Sequence, residues 1–176
     1  MEETKINFYQ LVQQSQELDR LHDQHLCAQD CINIYQIKKD VPRTTSVFSE
    51  SNRSILDIDI SSGLNPIYNI LTAYARFDPE IGYTQGMNFL AALIFQAVGD
   101  EVIAFAVLLK VMYQHNWRDC YKDQLVKLMS ITRKIKQWLM KNHKTIAVHL
   151  DFCGVILEAQ LSSPVMGLFA NLLSCE

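Results

Sequence analysis

Residues 65–79, NPIYNILTAYARFDP, carry the pattern that decides the fold class. Asn65 is a residue type that caps helix N-termini, and Pro66 suits the first helical position, which needs no backbone N–H. Apolar residues follow at the spacing of one helix face. They are Ile67, Ile70, Leu71, Tyr74 and Ala75. The stretch therefore predicts an amphipathic helix that ends at Asp78-Pro79.

Similar signals extend over most of the chain. Residues 86–98, GMNFLAALIFQAV, are apolar nearly all round, which predicts a central helix that ends at Gly99. Asp100 predicts the N-cap of another helix, which runs to about His115. Further helices are expected in the first 35 residues, at 122–141, at 144–160 and from Pro164 to the end. No convincing strand appears, so the fold class is all-α.

Two of the predicted helices carry apolar stripes, and we expect the N-terminal stripe to be buried. The stripe in the N-terminal segment consists of Phe8, Leu11, Val12 and Leu18. The stripe in segment 122–141 consists of Leu125, Leu128, Met129, Ile135, Trp138 and Leu139. A Ser/Thr-rich stretch at 44–62 predicts a long loop, and loops of this length are often functional.

Composition bounds the class of protein. The chain has 176 residues, 49% of them hydrophobic, which fits one domain with a sizeable core. Its net charge of -3 gives no basic patch for nucleic acid. The apolar stretches 87–98 and 102–112 are each shorter than the roughly 20 residues that span a bilayer, so we predict buried helices and no direct membrane span. Five cysteines at irregular spacing and no secretory signal predict a cytoplasmic location.

The sequence gives little support for chemistry within the chain itself. His22, His25, Cys27 and Cys31 offer zinc-type ligands, but on a helix the histidines and the cysteines share different faces. We therefore predict no metal site. A Gly-x-Ser-x-Gly nucleophile motif and a phosphate-binding Gly-Lys-Ser/Thr loop are both absent from the sequence. No cofactor is expected, and the chain is not predicted to be an enzyme in its own right.

Two short polar segments remain. In Ile37-Lys38-Lys39-Asp40-Val41-Pro42-Arg43-Thr44, proline should end the preceding helix near Asp40 and place Arg43 at a helix-to-loop junction. Arg43 there fits either a site or a surface ion pair with Asp40. In Gly82-Tyr83-Thr84-Gln85-Gly86-Met87-Asn88, a polar cluster precedes a buried helix. This cluster fits either a rigidly held site or helix capping by Asn88 or Thr84.

Together the two segments resemble the TBC domain, the helical catalytic domain of Rab GTPase-activating proteins. Ile37-x-x-Asp40-x-x-Arg43 is similar to that family's arginine-finger motif, and Tyr83-x-Gln85 to its glutamine-finger motif. The segments 116–121 and 162–169 also look like parts of the family, although Val165-Met166 stands where an aromatic residue is usual. The resemblance covers nearly the whole chain.

The resemblance implies an activator that supplies Arg43 and Gln85 as catalytic residues to a Rab-family small GTPase in its GTP-bound form. Ile37, Asp40, Tyr83 and Asn88 would support these two side chains or contact the partner, with Asp40 orienting Arg43. GTP and Mg²⁺ would belong to the partner. The activator would be recruited peripherally to endomembranes through its partners. The alternative is a non-catalytic helical domain that binds or scaffolds Rab proteins.

The resemblance also concerns the extent of the domain. TBC domains usually begin with an Arg-x-x-x-Trp motif and continue into further helices beyond a position like Glu176. We therefore expect residues 1–176 to form a partial TBC domain, trimmed at both ends. It would contain mainly the N-terminal helical subdomain with part of the second.

Overall fold

The computed structural model describes residues 2–23, 31–47, 64–122 and 125–170. Within these ranges the chain is helical and contains no strand, which confirms the all-α prediction. The α-helices are α1 (Glu2–Asp23), α2 (Cys31–Asp40), α3 (Pro66–Phe77), α4 (Met87–Val98), α5 (Glu101–Tyr113), α6 (Val126–Asn142), α7 (Lys144–Phe152) and α8 (Leu157–Met166). Two 3₁₀ segments, Val41–Val47 and Trp117–Cys120, follow α2 and α5.

The predicted caps are present. The Asn65 side chain accepts a hydrogen bond of 3.0 Å from the backbone N–H of Tyr68, at the start of α3. The Asp100 side chain accepts one of 2.9 Å from Ile103 at the start of α5. Gly99 ends α4 with a φ of 70°, a left-handed conformation that glycine adopts at little cost. The local signals thus fix these helix ends to within two residues.

Helix α3 is the centre of the fold. All ten residues from Pro66 to Ala75 are buried, because α1, α2, α4 and α5 pack around this helix. The predicted apolar face is buried as expected, and the opposite face is buried as well. Buried polar groups on that face find partners: the Thr72 hydroxyl donates to the Tyr68 carbonyl, and the Asn69 amide donates to Glu101.

Helix α4 is less central than its composition predicts. Its buried residues are Met87, Asn88, Leu90, Ala91, Ala92 and Ile94. Phe89, Leu93 and Phe95 are only partly buried, and Ala97 and Val98 are exposed. Apolar composition therefore did not predict that α3, and not α4, is the most buried helix, because the neighbouring helices decide which faces are covered.

The C-terminal helices differ from the prediction. Segment 144–160 forms parts of two helices rather than one, because the chain turns between α7 and α8 with Gly154 at a φ of 72°. Pro164 lies inside α8 and does not begin a helix. It is tolerated in the last turn, where it removes a single intrahelical hydrogen bond. The bend lets α8 pack on α6.

The two predicted apolar stripes differ in how far they are buried. On α1, Phe8 and Val12 are buried and Leu11 is partly buried, while the side chain of Leu18 lies outside the described residues. On α6, Leu128 is buried, and Leu125, Ile135 and Leu139 are partly buried. Met129 and Trp138, which belong to the same stripe, are 51% and 57% exposed. The apolar period marks a helix face, but α7 and α8 cover only part of it.

The first residues of the predicted long loop are helical. Helix α2 ends at Asp40 as predicted, but the chain continues as the 3₁₀ segment Val41–Val47. Thr44 to Val47 are therefore helical. Residues 48–62 of the predicted loop lie outside the described residues.

No single helix in the described ranges is both long and apolar enough to cross a bilayer. The apolar helix α4 has 12 residues, against the roughly 20 that a span requires. Helices α7 and α8 meet the length and composition criteria only when counted together, and they are bent by 110°.

Candidate functional site

The arginine segment is divided between buried and exposed side chains. Ile37 is fully buried on the inner side of α2, and Asp40 is only 2% exposed. Val41 and Thr44 continue the buried side into the 3₁₀ segment. Arg43 is exposed. The spacing of three and four residues between the buried positions keeps them on one side of the helical backbone and leaves Arg43 directed away from it.

The glutamine segment has the same division. Tyr83 and Asn88 are buried, and Gln85 between them is exposed. The corner formed by residues 78–86 contains two glycines with positive φ, Gly82 at 60° and Gly86 at 105°. Residues with a Cβ rarely adopt these conformations, so the glycines allow the chain to turn sharply into α4.

A buried hydrogen bond joins the two segments. The Tyr83 hydroxyl donates to Oδ2 of Asp40 over 2.9 Å, and the Gln36 amide donates to the same oxygen over 3.1 Å. Burial, reinforced by the neighbouring Asp40, raises the pKa of Tyr83 far above its ordinary value. The phenol therefore remains a hydrogen-bond donor at physiological pH.

Asn88 makes a second connection between the segments. Its amide nitrogen donates to the Thr44 hydroxyl over 3.1 Å and lies 3.4 Å from the Asp40 carbonyl oxygen. The Thr44 hydroxyl donates to that carbonyl over 3.0 Å. The Asn88 side-chain oxygen accepts the Gly86 N–H over 3.1 Å. The backbones beside Arg43 and Gln85 are thus bound to the same buried polar cluster.

The simpler interpretations were an ion pair between Arg43 and Asp40 and helix capping by Asn88 or Thr84. No ion pair joins Arg43 to Asp40, whose carboxylate instead accepts from Tyr83 and Gln36. Asp40 therefore does not orient Arg43 by direct contact. Gly86, the N-cap residue of α4, has no side chain that could cap the helix, but the Asn88 side-chain oxygen accepts the free Gly86 N–H, so the capping interpretation of Asn88 holds for this one amide.

Three supporting residues were missed by the sequence reasoning: Asn33, Gln36 and Thr44. Gln36 and Thr44 lie four residues before and after Asp40, and this helical spacing was a usable signal. Asn33 had no such signal, because its side-chain oxygen accepts the N–H of Tyr83, 50 residues away. A Cβ on Gly82 would lie within 2.8 Å of the Asn33 amide, so glycine is also required there for close approach.

The side chains of His22, His25, Cys27 and Cys31 lie outside the described residues. Among the described side chains, no group of three or more His, Cys, Asp or Glu could hold a metal ion.

Comparison with known proteins shows the family of this chain. A family model described as the Rab-GTPase-TBC domain matches residues 2–176, and the chain belongs to this family. It is 28% identical over 134 residues to the GTPase-activating protein GYP5 of Eremothecium gossypii, covering 76% of this chain and 15% of that protein. It is 28% identical over 149 residues to the Rab GTPase-activating protein tbc-11 of Caenorhabditis elegans, covering 81% of this chain and 15% of the relative. The chain therefore spans about one seventh of the length of these relatives.

Proposed function

We propose that this chain activates GTP hydrolysis by a Rab-type small GTPase and supplies Arg43 and Gln85 to the partner's active site. One observation carries the proposal: two exposed polar side chains project from segments that a buried Tyr83–Asp40 hydrogen bond holds together. A site that acts on a bound partner needs this combination of exposed reactive groups and a rigid support. The names of the relatives, which include Rab GTPase-activating proteins, support the choice of partner.

Arg43 would stabilise the charge that develops on the transferred phosphoryl group. An arginine supplied in trans can raise the rate of GTP hydrolysis by about 10³ to 10⁵. The guanidinium is planar and can contact two oxygens at once, so lysine is a poor replacement. Exposure of Arg43, with no ion pair to Asp40, leaves the guanidinium available to a partner.

Gln85 would orient the water that attacks the γ-phosphate. Its position two residues after the buried Tyr83 fixes its backbone, while the exposed amide reaches outward. Ile37, Asp40, Tyr83 and Asn88 would act as supports, since all four are buried. GTP and Mg²⁺ would come with the partner in its GTP-bound form, so the activator needs no cofactor. It would act in the cytoplasm, at endomembranes where its partner is anchored.

The test is phosphate release from a panel of GTP-loaded Rab proteins, with and without this chain. The variants are Arg43→Ala, Arg43→Lys and Gln85→Ala. Matched controls are Arg133→Ala and Gln137→Ala, which change exposed residues of the same types on α6. We expect stimulation by the wild type and the controls, and a loss of about 10³-fold or more for Arg43→Ala. Near-wild-type stimulation by both Arg43→Ala and Gln85→Ala would contradict the two-residue mechanism.

Binding without stimulation would favour the alternative. A folded chain that binds GTP-loaded Rab but leaves hydrolysis unchanged would be a scaffolding domain. Affinity for the GTP-bound and GDP-bound partners should be measured beside turnover, because a binding measurement separates this outcome from a chain that does not recognise Rab at all.

A further inference from the structure

A buried carboxylate anchors the first end of the corner that carries Gln85. Asp78 is 4% exposed and accepts hydrogen bonds from the hydroxyls of Tyr74 and Tyr113, at 3.0 and 2.9 Å. Arg118 donates to both of its oxygens, from Nε at 2.6 Å and from Nη2 at 2.8 Å. Arg118 Nη2 also reaches Glu80 at 2.5 Å. The guanidinium of Arg118 is therefore shared between the first and third residues of the corner.

The backbone of Asp78 also binds the residues that follow it. Its carbonyl oxygen accepts the N–H of Ile81 over 3.2 Å and that of Gly82 over 2.8 Å. Because Asp78 is held through both its side chain and its carbonyl, the turn that leads into Tyr83 is fixed at its first residue.

The same segment, Trp117–Tyr121, also holds the other end of the corner. The Trp117 indole N–H and the Tyr121 hydroxyl both donate to the carbonyl oxygen of Met166, at 3.1 and 2.7 Å. Met166 ends α8 beside Gly86, where a Cβ on Gly86 would lie 3.5 Å from that of Met166. Gly167 packs on the same corner, since a Cβ there would lie 3.6 Å from the Gly86 carbonyl oxygen.

We propose that the segment Trp117–Tyr121 positions Gln85 by holding both ends of the corner 78–86. Arg118 is the positioning residue for the first end, through Asp78. Tyr121 is the positioning residue for the second end, through Met166. This inference rests on the proposed function, because the position of Gln85 matters for turnover only if Gln85 acts on the partner's water. Neither Arg118 nor Tyr121 touches the reacting groups itself.

The geometry leads to a specific kinetic signature. A displaced Gln85 would still be exposed and would still meet the partner, so the affinity for the GTP-bound partner should change little. The orientation of the attacking water would suffer, and misplacement by on the order of 1 Å can lower a rate by about 10²-fold. Loss of positioning should therefore lower the maximal rate much more than it raises the half-saturating concentration.

The experiment uses Arg118→Lys and Tyr121→Phe. Lysine keeps a positive charge beside Asp78 but cannot make the paired contacts of the guanidinium. Phenylalanine removes only the hydroxyl, while Trp117 still donates to Met166. Lys136→Gln, at a partly exposed ion pair with Glu158 that joins α6 to α8 away from the corner, is the control. Two quantities are measured: single-turnover GTP hydrolysis across activator concentrations, and hydrogen exchange of the backbone amides.

We expect Arg118→Lys to lower the maximal rate by about tenfold or more, with less than about a threefold change in half-saturating concentration. Tyr121→Phe should show the same pattern with a smaller loss. In both variants exchange should increase at residues 81–86 and stay at the wild-type level in α3. Lys136→Gln should match the wild type in both measurements.

Wild-type maximal rates together with faster exchange at 81–86 would overturn the inference. So would an exchange increase spread throughout α3, α4 and α5, which would show that the segment merely stabilises the fold. If wild-type protein stimulates no Rab, the proposed function fails and the inference fails with it. If the wild-type chain stimulates hydrolysis but hydrogen exchange at residues 81–86 is unchanged in both variants, the inference is contradicted and the proposed function is not.

Discussion

The hydroxyl of Tyr83 and the carboxylate of Asp40 are joined by a buried hydrogen bond of 2.9 Å, although 43 residues separate them in the chain. Arg43 lies three residues after Asp40, and Gln85 lies two residues after Tyr83. The relative position of the two exposed side chains is therefore set by a contact that neither of them makes. This arrangement leads to a prediction for the Tyr83 hydroxyl.

Tyr83→Phe should be destabilising and should reduce stimulation of GTP hydrolysis. The substitution removes the hydroxyl that Asp40 accepts and leaves a buried carboxylate with Gln36 as its remaining described side-chain donor. An unsatisfied buried polar group costs about 1–3 kcal/mol. The free energy of unfolding, measured by urea denaturation, should fall by this amount.

The control for that experiment is Tyr9→Phe. Tyr9 is 48% exposed on α1, so loss of its hydroxyl should change the free energy of unfolding by less than about 0.5 kcal/mol. Equal stability of Tyr83→Phe and wild type would show that the hydrogen bond between Tyr83 and Asp40 contributes nothing.

Gly82→Ala should cost more stability than the equivalent change at Gly99. Both glycines have left-handed backbone conformations, with φ of 60° and 70°, so alanine meets a similar strain of about 1–2 kcal/mol at each. At Gly82 the new Cβ also meets the Asn33 amide at 2.7 Å, whereas at Gly99 no atom lies within 4 Å.

Urea denaturation and GTP hydrolysis should be measured for both alanine variants. We expect Gly82→Ala to be the less stable by at least about 1 kcal/mol, since a steric clash in a packed region adds a cost of this order. We also expect it alone to lose stimulation, because Asn33 binds the backbone of Tyr83. Equal losses of stability would mean that the close approach to Asn33 is unimportant.

The contribution of Asp78 to stability should depend on pH. Burial by itself raises the pKa of the Asp78 carboxyl, but hydrogen bonds from Arg118, Tyr113 and Tyr74 outweigh it and hold the pKa below the ordinary value of 3.8. A carboxyl with a depressed pKa in the folded state stabilises the protein above its unfolded pKa. That stability is lost as the pH falls through the folded-state value.

The measurement compares urea denaturation of wild type and Asp78→Asn between about pH 3 and about pH 7. The variant should be less stable by on the order of 3 kcal/mol at neutral pH, because Arg118 loses its buried partner. The difference should shrink as the pH falls below 3.8. Asp151→Asn, at an exposed carboxylate on α7, is the control. A difference that stays constant across this range would contradict the assignment.

Leu128→Ala and Met129→Ala should lower the free energy of unfolding by very different amounts, although the two residues are neighbours on α6. Leu128 is 1% exposed and Met129 is 51% exposed. Truncation of a buried leucine costs about 2–5 kcal/mol, whereas an exposed methionine should cost less than about 1 kcal/mol. Similar losses in the free energy of unfolding, measured by thermal or urea denaturation, would show that both side chains are buried in solution.

Much of the local structure follows directly from the sequence. Asn65, Asp100 and Gly99 mark helix ends because each satisfies backbone groups within a few residues of itself. The predictions of a central α4 and of a helix that begins at Pro164 were wrong, because both outcomes depend on the neighbouring helices. Trp138 belongs to an apolar stripe and yet is exposed, since the packing of α6 against α7 and α8 does not cover it.

In the candidate site, too, some features follow from the sequence and others depend on the tertiary structure. The sequence by itself determined the segments that carry Arg43 and Gln85, because the motifs around them are contiguous and short. Only the tertiary structure showed that the Asp40 carboxylate accepts from Tyr83 and makes no ion pair with Arg43, and that Asn33 and Thr44 bind the glutamine segment. These contacts join residues up to 50 positions apart, and a local pattern cannot specify which distant side chain satisfies a buried polar group.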